Sequence, residues 1–239
     1  VTLHFIANDS DGADDLVNAT ANFTINRSGE ANRYSGQCDP INGSGIAVTY
    51  NCSLKLWYYD APGIWTVNVS VRDVSGNLGI NNSTAFVVDT LTAMTMSPVA
   101  LTWPTITLTS VNSTSSNDPI IVNNTGNDIN DLDVTAIDLL GETAATTDYL
   151  RVTNFSVAIN ATGLAGATDN TGCMGKLQIN NTAVNITSGF LNRGNNTLLN
   201  NGTSSVQQQL LFCLRYVNAS LGAQAYSTLK GGSWTVSTV

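Results

Sequence analysis

Ile64-Trp65-Thr66-Val67-Asn68-Val69-Ser70-Val71 is the stretch on which the fold turns. In a strand, residues i and i+2 share one face, so its valines are expected to point into a core and Asn68 and Ser70 to water. Pro62-Gly63 precedes the run and Asp73-Val74-Ser75-Gly76-Asn77 follows it, and both are turn formers. A strand with one wet face between two tight turns is a unit of an antiparallel sheet.

The same period extends outward in both directions. Residues 1–7 alternate Val1, Leu3 and Phe5 against Thr2 and His4. Further strands are expected at 22–26, 46–58 and 85–88, closing a first module. Residues 89–98 read as a linker. In the second module strands are expected at 101–109, 119–122, 132–138, 150–159, 176–186, 207–217 and 233–239. Short strands with frequent turns point to sandwiches. The expected fold is all-β, with two immunoglobulin-like β-sandwich domains in tandem, 1–90 and 91–239.

Tyr59-Asp60-Ala61-Pro62-Gly63-Ile64-Trp65-Thr66-Val67-Asn68-Val69-Ser70-Val71-Arg72-Asp73, followed by Ser75-Gly76-Asn77, resembles the end of PKD-like and related immunoglobulin-like repeats of archaeal and bacterial surface proteins. There a PG-x-(Y/W)-x-V-x-V-x-V-x-D strand runs into SGN. The chain departs from those repeats in its Cys pair and acidic loop. Val122-Asn123-Asn124-Thr125-Gly126-Asn127 resembles the N-T-G-N turn of archaeal surface β-sandwich repeats. The resemblance implies a surface β-sandwich and, carried further, an archaeal thread-like or pilus-like filament. It does not extend to type IV pilins, whose long apolar N-terminal helix has no counterpart here.

The chain is 42% hydrophobic but only 11% charged, about half the usual charged share. Its polarity comes instead from 29 Asn and 51 Ser and Thr. That apolar content suits a folded chain rather than a disordered one. A net charge of −8, with nine scattered Lys and Arg, excludes a phosphate-neutralising patch and argues against a nucleic-acid partner or an anionic membrane surface. No apolar run approaches the ~18 residues of a membrane span. A first residue Val1 inside a strand-like segment is expected of a processed chain or of a piece of a longer one.

The strongest chemical signal is the acceptor pattern for N-glycosylation, Asn-x-Ser/Thr. It begins at Asn8, Asn18, Asn22, Asn26, Asn42, Asn51, Asn68, Asn81, Asn82, Asn112, Asn123, Asn154, Asn160, Asn180, Asn185, Asn195, Asn201 and Asn218, 18 positions in all. Random placement of the same residues would give about six. Asn22-Phe23-Thr24, Asn51-Cys52-Ser53, Asn68-Val69-Ser70 and Asn154-Phe155-Ser156 set the acceptor and its hydroxyl on one strand face and an apolar residue on the other. Glycans there would cover the sheet itself and limit edge-to-edge aggregation.

Cys38, Cys52, Cys173 and Cys213 allow three pairings. The local one, Cys38 with Cys52 and Cys173 with Cys213, keeps a bridge inside each module and is favoured. Disulfides together with glycosylation place the chain outside the cell, at the cell surface. Asp9, Asp11, Asp14 and Asp15 around Gly12 could bind calcium, a hard cation that takes carboxylate oxygens. The full EF-hand pattern is not met, and a solvated Asx-rich turn explains the same residues. No other cofactor is expected.

Catalysis finds no support. The single histidine, His4, lies on an expected strand, no pair of carboxylates stands out, and no Gly-rich phosphate loop is present. Trp57, Trp65, Trp103 and Trp234 could form a sugar-stacking platform but suit core positions better. A non-enzymatic structural role follows. The chain is read as a glycosylated extracellular filament subunit whose partners are copies of itself, joined head to tail by donor-strand complementation. The alternative is a module of a surface-layer protein or adhesin, a spacer or ligand-binding arm making surface or cell contacts.

Overall fold

The computed structural model describes residues 1–144, 147–159, 171–193 and 206–239. Among them the regular secondary structure is almost entirely strand, with short 3₁₀ turns at Ala13–Asp15 and Val152–Asn154. It divides into two compact units, Val1–Leu91 and Thr92–Val239. No helix of the described residues is long and apolar enough to cross a membrane.

The first unit contains β1 (Thr2–Asn8), β2 (Leu16–Asn26), β3 (Arg33–Gln37), β4 (Asp39–Ser44), β5 (Ala47–Ser53), β6 (Gly63–Asp73) and β7 (Leu78–Val88). They form two antiparallel sheets, ordered β1-β5-β4 and β3-β2-β6-β7. Their inner faces share one core, in which Phe23, Ile25, Tyr50 and Trp65 are fully buried. Trp65 anchors the start of β6 by donating its ring N–H to the Ala61 carbonyl at 2.9 Å. Val67 and Val71 are buried as the alternation requires. Val69 is only half-buried, because the β6–β7 register shifts between Val67 and Val69. The Cys38–Cys52 disulfide joins the residue between β3 and β4 to β5, next to the Asp39–Asn51 pair, and both cysteines are buried in this core.

Two strands of this unit carry no apolar alternation of their own. β3 and β4 are polar and largely exposed, and they exist because β2 and β5 offer unpaired edges. At the turn before β6, Asp60 is buried, accepts the Trp57 backbone N–H at 2.7 Å and pairs with the Arg33 guanidinium.

The second unit contains β8 (Met94–Ser97), β9 (Val111–Thr114), β10 (Ile120–Asn124), β11 (Asn130–Ala136), β12 (Leu139–Gly141), β13 (Tyr149–Leu150), β14 (Phe155–Ile159), β15 (Lys176–Leu177), β16 (Thr182–Leu191), β17 (Gln207–Tyr216), β18 (Tyr226–Ser227) and β19 (Thr235–Thr238). The largest sheet runs β15-β14-β17-β10-β8, with β9 also pairing β17. Two three-stranded sheets, β16-β11-β19 and β13-β12-β18, complete the unit. Val122, Leu132, Val134, Val157 and Leu210 are buried in one core cluster, and the Cys173–Cys213 disulfide joins the loop before β15 to β17.

Five expectations change here, and two of them are strands cut short: 46–58 is strand only over Ala47–Ser53, and 150–159 is broken by the 3₁₀ turn Val152–Asn154. Residues 101–109 form no strand. Pro104 has no N–H to give a ladder, and the Trp103 ring N–H instead ties the segment to the Ser113 carbonyl at 3.1 Å. Part of the expected linker is strand β8, paired with β10. The expected strand 176–186 is interrupted between β15 and β16, where Asn181 takes a positive φ of 52°.

Candidate functional site

Two kinds of surface could carry function: the sequon-bearing faces and an open apolar groove. Asn8, Asn18, Asn22, Asn42, Asn81, Asn82, Asn112, Asn180, Asn185 and Asn218 are exposed. Asn26, Asn51, Asn68 and Asn123 are half-buried. Asn160, Asn195 and Asn201 lie outside the described residues. At Asn81 and Asn218 the side-chain oxygen accepts from both the backbone N–H and the hydroxyl of the sequon serine, at 2.9 and 2.7 Å to Ser83 and 3.2 and 3.1 Å to Ser220. Asn18 accepts the hydroxyl of the buried Tyr50 at 2.7 Å. Asn51 and Asn68, on the central strands of their sheets, each have an Oδ1 shielded from water without a protein partner.

Asn154 departs from the period-two reading. It is 4% exposed, and its sequon serine, Ser156, is fully buried. The alternation presumed an uncovered outer face, but the loop before β15 lies over β14, and the Ser156 hydroxyl donates to the Gly172 carbonyl at 2.6 Å. That sequon faces protein on both sides.

The groove belongs to the second unit and encloses about 1060 Å³. Leu139, Phe155, Leu214 and Val217 form its floor, and Trp103 and Trp234 stand on its wall. The two Trp rings pack edge-on against Phe155, at centroid distances of 5.4 and 5.0 Å, so they serve as core. Trp65 is likewise core. Trp57 is a half-buried loop residue, with Tyr59 stacked on one side and the Lys55 ammonium 3.6 Å from its ring centroid. The segment 98–110 borders the groove without joining any sheet. The groove was not legible in the sequence, because its lining is drawn from segments far apart in the chain.

Asp9, Asp11 and Asp15 bring their carboxylates within 4.8 Å of one another, while Asp14 is exposed and stands apart. Loss of solvation and the charges of Asp9, Asp73 and Asp11 raise the Asp15 carboxyl above its ordinary value. Exposed acidic turns of this kind are common without a bound ion. His4 is exposed on β1, opposite Asn51 of β5.

No family model, no curated protein and no solved structure matches this chain.

Proposed function

We propose that this chain is a non-enzymatic structural subunit of an extracellular, N-glycosylated surface filament, its copies joined when a strand of one completes the sandwich of the next. The observation that carries this reading is the groove of the second unit. It is apolar along its floor, it opens over residues that are otherwise core, and at about 1060 Å³ it matches the largest small-molecule pockets. An extended segment with apolar residues at every second position fills such a space while its backbone adds to a sheet. β1 shows the required pattern, with Leu3, Phe5 and Ala7 turned to the core and Thr2, His4 and Ile6 to solvent, although within one chain it pairs with β5.

The first unit supports an immunoglobulin-like reading. Its sheets β1-β5-β4 and β3-β2-β6-β7 follow the order B-E-D and C′-C-F-G of that architecture. Two disulfides favour an oxidising compartment. Sequon enrichment together with exposed acceptors supports a sugar coat. Electron microscopy of the purified glycoprotein tests the reading. Continuous fibres with one subunit per repeat are expected, whereas discrete particles or a two-dimensional lattice would favour the surface-layer or adhesin alternative.

A further inference from the structure

The outer face of β3-β2-β6-β7 carries a recess of about 330 Å³ between β2 and β3, at the small end of ligand-sized cavities. Its origin is local. β2 steps out of its ladder with β6 between Val17 and Asn22. Opposite, the β2–β3 register shifts between Asn22 and Thr24, and the Phe23 N–H is satisfied by the Ser35 hydroxyl at 3.1 Å. Gly36 holds the bulge with a φ of 76°, and a Cβ added there would meet nothing within 4 Å. Ala19, Thr20, Ala21, Asn22, Tyr34, Gly36 and Gln37 line the hollow.

Asn22 is exposed and starts a sequon whose hydroxyl residue, Thr24, sits on the same face, directly opposite Tyr34. Tyr34 is 66% exposed on that face, and its hydroxyl accepts an Asn32 amide N–H at 3.4 Å. Asn22 itself is paired with Gln37, a side chain with both amide donors and an acceptor. A pyranose has one face rich in C–H bonds and a rim of hydroxyls, so it packs on an aromatic ring while its rim bonds to amides. Aromatic ring, amide and acceptor asparagine thus surround one hollow. Asn26 and Asn68 do not line it.

We propose that Asn22 carries an N-linked glycan whose first sugar lies in this recess, stacked on Tyr34 and bonded to Gln37. The proposal rests on the reading that the chain is N-glycosylated and does not depend on polymerisation. The sugar covers Tyr34 and fixes the β2–β3 bulge, so attachment stabilises the first unit through that ring.

The test uses the full chain secreted as monomer from an N-glycosylating host, with Asn22→Gln, Tyr34→Ala and the double variant. Glycopeptide mass spectrometry should find Asn22 predominantly modified. Tyr34→Ala should lower Tm by about 2–4 °C in the glycosylated wild type and leave the Asn22→Gln background unchanged, the signature of coupling between the two sites. A bare Asn22 beside other modified sequons overturns the proposal alone, and bare sequons throughout overturn the glycosylation reading with it. A Tyr34→Ala shift of equal size in both backgrounds shows that the ring does not hold the sugar and also overturns it.

Discussion

Asp60 sits buried beneath the turn that feeds β6, accepting the Trp57 N–H and facing the Arg33 guanidinium. The Arg33 Nε is already shielded without a partner, so that cation depends on Asp60 for its compensation. Asp60→Ala strands it, and a loss of about 2–3 kcal/mol is expected, toward the low end for a broken buried pair because Arg33 keeps 23% of its side-chain exposure. Denaturant unfolding checks this through a lower midpoint at unchanged slope, and an unaltered midpoint would contradict it. At the opposite end of β6, two carboxyls act in opposite senses. The Asn77 side chain, then backbone N–H groups of Asn77, Gly76 and Ser75, hold the Asp73 carboxyl below its ordinary value. Its stabilising contribution is present above the ordinary carboxylate range and is lost as pH falls through the lowered pKa. Asp15 is raised, so its ionisation opposes folding and the penalty enters as pH rises through the raised pKa. Asp15→Asn should therefore raise Tm at neutral pH, with the gain fading toward about pH 3, where both forms are uncharged. A lower Tm at neutral pH would show that the Asp15 charge is favourable.

β14 shows what a strand gains and loses from its neighbours. All five of its residues are buried, Phe155 and Val157 on the core side and Ser156 under the loop that carries Cys173. That loop approaches closely only because Gly172 and Gly175 lack side chains. A Cβ on either would stand 2.3 Å from a backbone carbonyl, that of Leu211 or Val157 respectively, and Gly172 also holds a φ of +77°. Gly172→Ala is expected to cost about 3 kcal/mol, read by chemical unfolding of the disulfide-intact protein, and a wild-type-like curve would contradict the packing. The same element marks the limit of reading strands from sequence. Period two located β1 and β6, where one side is core and the residues say so. It misjudged Asn154 and Ser156, because alternation reports chemistry and not whether a second layer covers the polar face. β3 and β4 gave no signal, since their pairing comes from the edges of β2 and β5 rather than from their own side chains. Residues 101–109 alternate well enough to suggest a strand, but Pro104 withholds the hydrogen bond that would make one.

At the scale of the molecule, the proposed filament forms when a strand of one copy enters the groove of the next. In the sequence, sequons, cysteines and a resemblance over one short stretch point to a surface protein, and the apolar alternation of residues 1–7 points to a donor strand. The groove itself depends on Trp103, Phe155, Leu214 and Trp234 meeting in space, and no local pattern announces that. A glycan coat on a surface with few charges, as proposed, would suit a fibre exposed to water and proteases. An apolar cleft left open in a secreted protein would expose it to nonspecific association. In the proposed filament, insertion of a strand would resolve that exposure and link subunits in the same step, through a head-to-tail contact that does not close and so propagates. The measurement that tests this most directly is a cryo-electron microscopy map of the assembled glycoprotein, examined at the groove lined by Leu139, Phe155, Leu214 and Trp234. Continuous density for an extended strand of the adjacent copy is expected along that groove. Fibres in which the groove stays empty, or is filled by the chain's own residues, would contradict it.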